Sequence, residues 1–123
     1  MNTKKKILIV EDDEFTIKLY TRLLTDAGYQ IVNTTNASEA LDMAKREKPN
    51  LIIMDLMLMD GNGFEVIKQI RNEKNLNNVP IITLSNLGQE TDINEAIKKG
   101  SNKYFVKSNT RFEEVVEAIK NLI

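Results

Sequence analysis

Ile7-Leu8-Ile9-Val10, running without a break into Glu11-Asp12-Asp13, is the stretch whose reading decides the fold. The four apolar residues, three of them β-branched, do not alternate with polar ones, so the segment reads as a strand covered on both faces. The acids that follow mark where the chain leaves the core. The pattern returns at Leu51-Ile52-Ile53-Met54 before Asp55, at Ile81-Ile82-Thr83-Leu84 before Ser85-Asn86, and at Tyr104-Phe105-Val106 before Lys107-Ser108. All four runs read as buried parallel strands. A more polar run from Tyr29 to Thr34, just after Gly28, reads as an edge strand.

Helical spacing fills the intervals. Ala37, Ala40, Leu41 and Ala44 fall on one helix face, as do Phe112, Val115, Val116 and Ile119. Asn36 with Glu39 and Thr110 with Glu113 have the spacing of capping boxes at the two helix starts. Segments 14–27, 64–73 and 91–99 complete five helices, with Gly28 and Gly100 as stop signals. Strand and helix alternate five times. Such alternation requires right-handed crossovers and a parallel sheet covered on both faces, so the fold class is α/β, a doubly wound five-stranded parallel sheet with five helices.

At 123 residues the chain is one domain, 1–123, with no repeat, low-complexity tract or linker. Hydrophobic residues make up 41% and charged residues 28%, an ordinary globular balance. Seventeen basic residues against eighteen acidic ones leave a net charge of -1, which argues against direct nucleic-acid binding. Cysteine is absent, so disulfides, thiolate metal sites and a Cys nucleophile are excluded; histidine is absent, so phosphohistidine chemistry needs a partner. The apolar run before Glu11 is too short for a signal-peptide core or a membrane span, and a cytoplasmic location is expected.

In an open parallel sheet, ligands bind outside the carboxyl ends of the strands. That rule brings Glu11, Asp12, Asp13, Asp55, Ser85, Asn86, Lys107 and Ser108 to one edge. Clustered carboxylates repel unless a cation joins them, and Mg²⁺ suits an all-oxygen site. With the metal bound, a phosphoryl donor can approach a carboxylate nucleophile, and Ser85 and Lys107 can contact the oxygens over which charge spreads. Taken singly, each residue has a plainer role: an acid before a helix caps it, and most serines and lysines at strand ends are solvated. The combination carries the site.

At these residues the chain resembles the receiver domains of two-component response regulators, the chemotaxis-regulator fold. The likeness runs from Ile-Leu-Ile-Val-Glu-Asp-Asp to the last helix and includes Asp55-Leu-Met-Leu with Gly63, Leu84-Ser85 and Tyr104-Phe105-Val106-Lys107. The resemblance implies strand order 2-1-3-4-5 and a phosphorelay signalling role as an aspartyl phosphoprotein rather than a turnover enzyme. Asp55 matches the phosphoacceptor. Glu11 and Asp12 match the acid pair, with Asp12 the closer metal ligand, Glu11 acting largely through water, and Asp13 a third acid. Met57 would offer its backbone carbonyl to Mg²⁺. Ser85 matches the switch hydroxyl, Lys107 the phosphate-binding lysine and Tyr104 the switch aromatic. Met57 and Leu87 match the positions that flank the hydrolytic water.

The implied partners are a histidine kinase or histidine phosphotransfer protein, a downstream protein target met by the face of the fourth helix, fifth strand and fifth helix, and a phosphorylation-dependent homodimer. No output domain is expected. Three positions depart from the family pattern. Met59 stands where Pro is usual, which would leave the loop after Asp55 less restrained. Ser108 replaces the Pro after Lys107, whose peptide is commonly cis; a cis bond before Ser costs about 2.5–4 kcal/mol. Asn86 stands where Ala or Gly is usual and would narrow access. Three other functions stay open on the residues alone: a flavodoxin-like nucleotide or flavin binder, an aspartyl-phosphate phosphatase, and a scaffold that is not phosphorylated.

Overall fold

The computed structural model describes residues 4–123. Its strands are β1 (Lys6–Val10), β2 (Gln30–Thr34), β3 (Leu51–Met54), β4 (Ile81–Ser85) and β5 (Lys103–Val106), and its helices α1 (Glu14–Asp26), α2 (Ala37–Glu47), α3 (Gly63–Arg71), α4 (Glu90–Lys99) and α5 (Phe112–Leu122). All pairings within this five-stranded sheet are parallel and the order is β2-β1-β3-β4-β5, the doubly wound sheet expected. No helix among the described residues is long and apolar enough to cross a membrane.

Strand alternation divides the core in two. Leu8, Val10, Ile52, Met54 and Ile81 face a layer built from Ala40, Ala44, Val66, Ile67, Ile70 and Ala96 of α2, α3 and α4. Ile7, Ile9, Leu51, Ile53, Ile82 and Leu84 face Tyr20, Leu24, Val115 and Ile119 of α1 and α5. Both faces are covered, which is why the central runs are continuously apolar. β2 is an edge strand as expected. β5 is the opposite edge, so Tyr104, Phe105 and Val106 are half-buried rather than fully enclosed.

The helix starts differ from expectation. Asn36 occupies the N-cap position of α2 but makes no side-chain capping bond. Asp60 does that work instead, from another segment of the chain. Thr110 donates its hydroxyl to the Val106 carbonyl at 2.6 Å, and Arg111 is the N-cap of α5. The stop signals hold: Gly28 and Gly100 have φ of 102° and 129°.

After Asp55 the chain forms a short ribbon in which Met57–Leu58 pairs antiparallel with Gly61–Asn62 and only Met59 and Asp60 make the turn. The Gly63 N–H then donates to the Leu56 carbonyl at 2.9 Å. This close return is possible because residue 63 has no side chain: a Cβ there would overlap the Asp55 carbonyl and lie 2.9 Å from Leu56 Cα. Main chain cannot move aside as a flexible side chain does. Gly63→Ala is therefore expected to destabilise the fold by about 1–3 kcal/mol, the usual cost of overpacking, read from the midpoint of urea unfolding; an unchanged midpoint would show that the loop re-forms freely.

Candidate functional site

Register builds the site before any side chain is considered. β1 and β3 pair with Val10 opposite Met54, so the next residues, Glu11 and Asp55, leave the sheet side by side. The ladder continues through them, since the Asp55 N–H donates to the Val10 carbonyl at 3.0 Å and the Glu11 N–H to the Thr34 carbonyl at 3.1 Å. Glu11 continues the phase of Ile7 and Ile9, Asp55 that of Leu51 and Ile53, and Lys107 that of Phe105. With a side-chain period of two, all three lean toward the α1/α5 side of the sheet edge.

They meet there. The Lys107 ammonium lies 2.5 Å from Glu11 Oε1 and 3.3 Å from Asp55 Oδ2. Glu11 is 2% exposed and Asp55 6%. Burial pushes the Glu11 carboxyl up to about 7, against the lowering effect of its hydrogen bonds from Lys107 and the Asp13 N–H. Burial works to lower the Lys107 ammonium, but the Glu11 hydrogen bond and the charges of Asp55 and Glu11 together hold it above its ordinary value. The lysine is thus charged throughout the neutral range.

Asp12 is out of phase with this trio and half-exposed; its Oδ2 accepts the Met59 N–H at 2.8 Å. Carboxylate oxygens of Glu11, Asp12 and Asp55 nevertheless lie within 4.8 Å of one another. Such a hard, all-oxygen donor set fits Mg²⁺, whose charge would offset the mutual repulsion. Asp13 turns away: it caps α1, accepting the Thr16 N–H at 2.9 Å and the Thr16 hydroxyl at 2.6 Å. The third acid is a helix cap.

Ser85 ends β4, fully buried, in the opposite phase to Asp55. Its Oγ accepts the Leu87 N–H at 3.3 Å, while the Tyr104 hydroxyl donates to the Leu87 carbonyl at 2.5 Å. The two switch candidates are therefore linked by a single residue. Leu87 packs, half-buried, against the α2/α3/α4 layer rather than lying open at the site. Met57 is 57% exposed and donates its N–H to Asp55 Oδ1 at 3.3 Å. Asn86 is exposed, and no described peptide bond is cis, Lys107-Ser108 included.

Met59 is the informative departure. Because it is not proline it keeps the N–H that bonds Asp12, and the ribbon pairs across the turn, so the loop has restraints other than a proline ring. Asp60, which fastens the loop to α2, was invisible to a local reading because its partners lie 22 and 23 residues away.

Carboxylates, a buried hydroxyl and a lysine thus meet at the carboxyl edge of a parallel sheet, an arrangement with known counterparts. Residues 7–120 match the model of the response regulator receiver domain. The chain belongs to that family, and so is a signalling domain of two-component systems. It is 32% identical over 119 residues to the polar-differentiation response regulator DivK of Brucella anthropi, with 97% of this chain and 96% of that one covered. A putative response regulator from Chloroflexus aurantiacus superposes with a TM-score of 0.91 at 26% identity, covering 98% of both chains. The receiver domain of the sensor histidine kinase PA1611 from Pseudomonas aeruginosa, with magnesium coordinated in its active-site cleft, superposes with a TM-score of 0.88 at 25% identity, again over 98% of both chains. Membership sets aside the flavodoxin-like binder.

The state of Glu11 gives a pH signature. Its folded value of about 7 lies above its ordinary 4.5, so the native state holds the proton longer than the unfolded chain does. The metal-free protein should therefore lose stability as pH rises from about 5 to 8. A divalent cation competes with that proton, so stabilisation by Mg²⁺ should grow over the same interval. Melting temperatures at pH 6 and 8, with EDTA or Mg²⁺, check both trends; Glu11→Gln should flatten them, and a mutant with parental pH dependence would remove Glu11 as the titrating group.

Proposed function

We propose that this receiver takes a phosphoryl group on Asp55 in a Mg²⁺-dependent reaction and passes the signal on by changed partner binding. The observation that supports this most directly is the meeting of Asp55, Glu11 and Lys107 at the sheet edge, with Asp12 close enough to share a cation. Glu11, Asp12, Asp55 and the Met57 carbonyl are the proposed metal ligands. Mg²⁺, when bound, neutralises carboxylate charge and orients phosphate oxygens. An Asp55 carboxylate oxygen attacks phosphorus as the bond to a phosphohistidine nitrogen, or to the oxygen of a small acyl phosphate, breaks, and the departing group carries away the electron pair. Lys107 then exchanges its carboxylate partners for a phosphoryl oxygen, and Ser85 donates its hydroxyl to another.

The donor is a histidine kinase or histidine phosphotransfer protein, as the absence of histidine here requires if the phosphoryl group arrives from imidazole. Moving Ser85 toward the new charge releases the Leu87 N–H, and Tyr104, bonded to the same residue, follows. The α4-β5-α5 face changes shape, altering affinity for a downstream protein or for a second copy. The likeness to the response regulator DivK, which extends over 96% of that relative, supports action as a response regulator.

Two measurements test this reading. Intact mass after incubation with acetyl phosphate and Mg²⁺ should show one added phosphoryl group, absent in Asp55→Asn and without Mg²⁺; labelling that persists in that mutant would refute the nucleophile assignment. The exposed Met57 cannot hydrogen-bond a hydrolytic water, so self-dephosphorylation should be slow. Met57→Asn should shorten the lifetime several-fold in a time course of phosphate loss, whereas an equal or longer lifetime would show that residue 57 does not face the phosphoryl group.

A further inference from the structure

The two turn residues of the ribbon after β3 hold different elements. Met59 donates its main-chain N–H to Asp12 Oδ2 at 2.8 Å. Asp60, next in the chain, accepts the Ala37 N–H on Oδ1 at 2.7 Å, and on Oδ2 the Ser38 N–H at 3.2 Å and the Ser38 hydroxyl at 2.9 Å. One exposed carboxylate thus fastens the ribbon to the N-terminus of α2. The contact is close along its length, since a Cβ on Gly61 would stand 3.0 Å from Ala37 Cβ.

We propose that Asp60 is a positioning residue for the metal site, acting through the main-chain N–H of Met59 to orient the Asp12 carboxylate toward the cation. The inference rests on the metal-site reading given above. Asp12 is half-exposed and sits at the first free position after the strand, outside the buried trio that Lys107 holds together. A side chain so placed samples several rotamers in water, and each must be given up when it ligates a metal. A hydrogen bond to one carboxylate oxygen leaves the other oxygen free to bind while fixing the plane of the group, the usual task of outer-sphere donors around metal ligands. The Met59 N–H can do this only if the turn is held at a constant height over the site. Asp60 provides that, because its three bonds tie the turn to a helix whose Ala40 and Ala44 are fully buried. A proline at position 59 would have no N–H to give, so the device depends on the methionine found there.

Titration calorimetry with Mg²⁺ on the full chain, alongside urea unfolding in EDTA, separates positioning from stability. Asp60→Ala should weaken Mg²⁺ binding about tenfold, the lower end of the loss expected when an outer-sphere partner is removed. Asp60→Asn, which can still accept from the helix N-terminus, should recover most of the affinity. Met59→Ala keeps the N–H and should bind as the parent does; Met59→Pro should show the loss. Glu47→Ala, which removes the 3.0 Å ion pair with Lys6 without touching the site, should lower stability and leave Mg²⁺ affinity unchanged. Parental affinity in either Asp60→Ala or Met59→Pro would overturn the proposal. Failure of the parent itself to take up Mg²⁺ would instead strike the metal-site reading, and this inference with it.

Discussion

The rest of the site depends on the compensation of two buried carboxylates by one lysine. Parallel pairing of β1 with β3 forces Glu11 and Asp55 together as they leave the sheet, and neither has enough solvent to dissipate its charge. Lys107 meets both from the end of β5, and it reaches them because that strand is held beside β4 by the register Ser85 to Val106. An arrangement of this kind is not chosen for stability. Desolvation can exceed the attraction between buried charges, while removing one partner typically costs about 3–5 kcal/mol because a buried charge is left alone. The fold therefore carries an electrostatic obligation at this edge: removing any one of the three charges leaves the others without their partner.

Strand phase divides the polar residues of this edge between the two faces of the sheet. Glu11, Asp55 and Lys107 lie on the α1/α5 side, where the charge is handled. Ser85 and Tyr104 lie in the other phase, against the layer of α2, α3 and α4. Leu87 joins them, its N–H to Ser85 and its carbonyl to Tyr104. Both bonds are made by one residue, so the serine and the tyrosine share a single main-chain neighbour. The sheet edge thus separates a charged half, built by Glu11, Asp55 and Lys107, from a hydrogen-bonded half, built by Ser85, Leu87 and Tyr104.

Much of this was legible in the sequence, and the physical reason is that continuous apolar runs and their terminal polar residues are local signals. The five strands, five helices, the edge position of Tyr29–Thr34 and the convergence of Glu11, Asp12, Asp55 and Lys107 followed from such runs and from the rule for parallel sheets. Even the phase that groups Glu11 with Lys107 and excludes Asp12 is written in the alternation of Ile7, Ile9 and Glu11. What local reading misplaced were the polar contacts of single side chains. Asn36 and Thr110 have capping-box spacing but lose to competing partners, Asp60 for the N-terminus of α2 and the Val106 carbonyl for Thr110. Asp13 takes the ordinary cap role that its position before α1 allowed all along. The half-burial of β5 is a consequence of strand order, which no five-residue window contains.

The loop after Asp55 shows why absence of a familiar residue is poor evidence of a looser structure. Proline restrains a chain largely by limiting the unfolded ensemble, and it does so whether or not anything else is folded. The ribbon here restrains the same segment through bonds that exist only once α2, β1 and β3 are in place: Asp60 to Ala37 and Ser38, Met59 to Asp12, Gly63 to Leu56. Its rigidity is cooperative with the fold rather than built into the chain. It also differs in kind, since a proline ring can neither donate to an acid nor report on one, whereas the Met59 N–H makes the geometry of Asp12 and the position of α2 parts of the same connected structure.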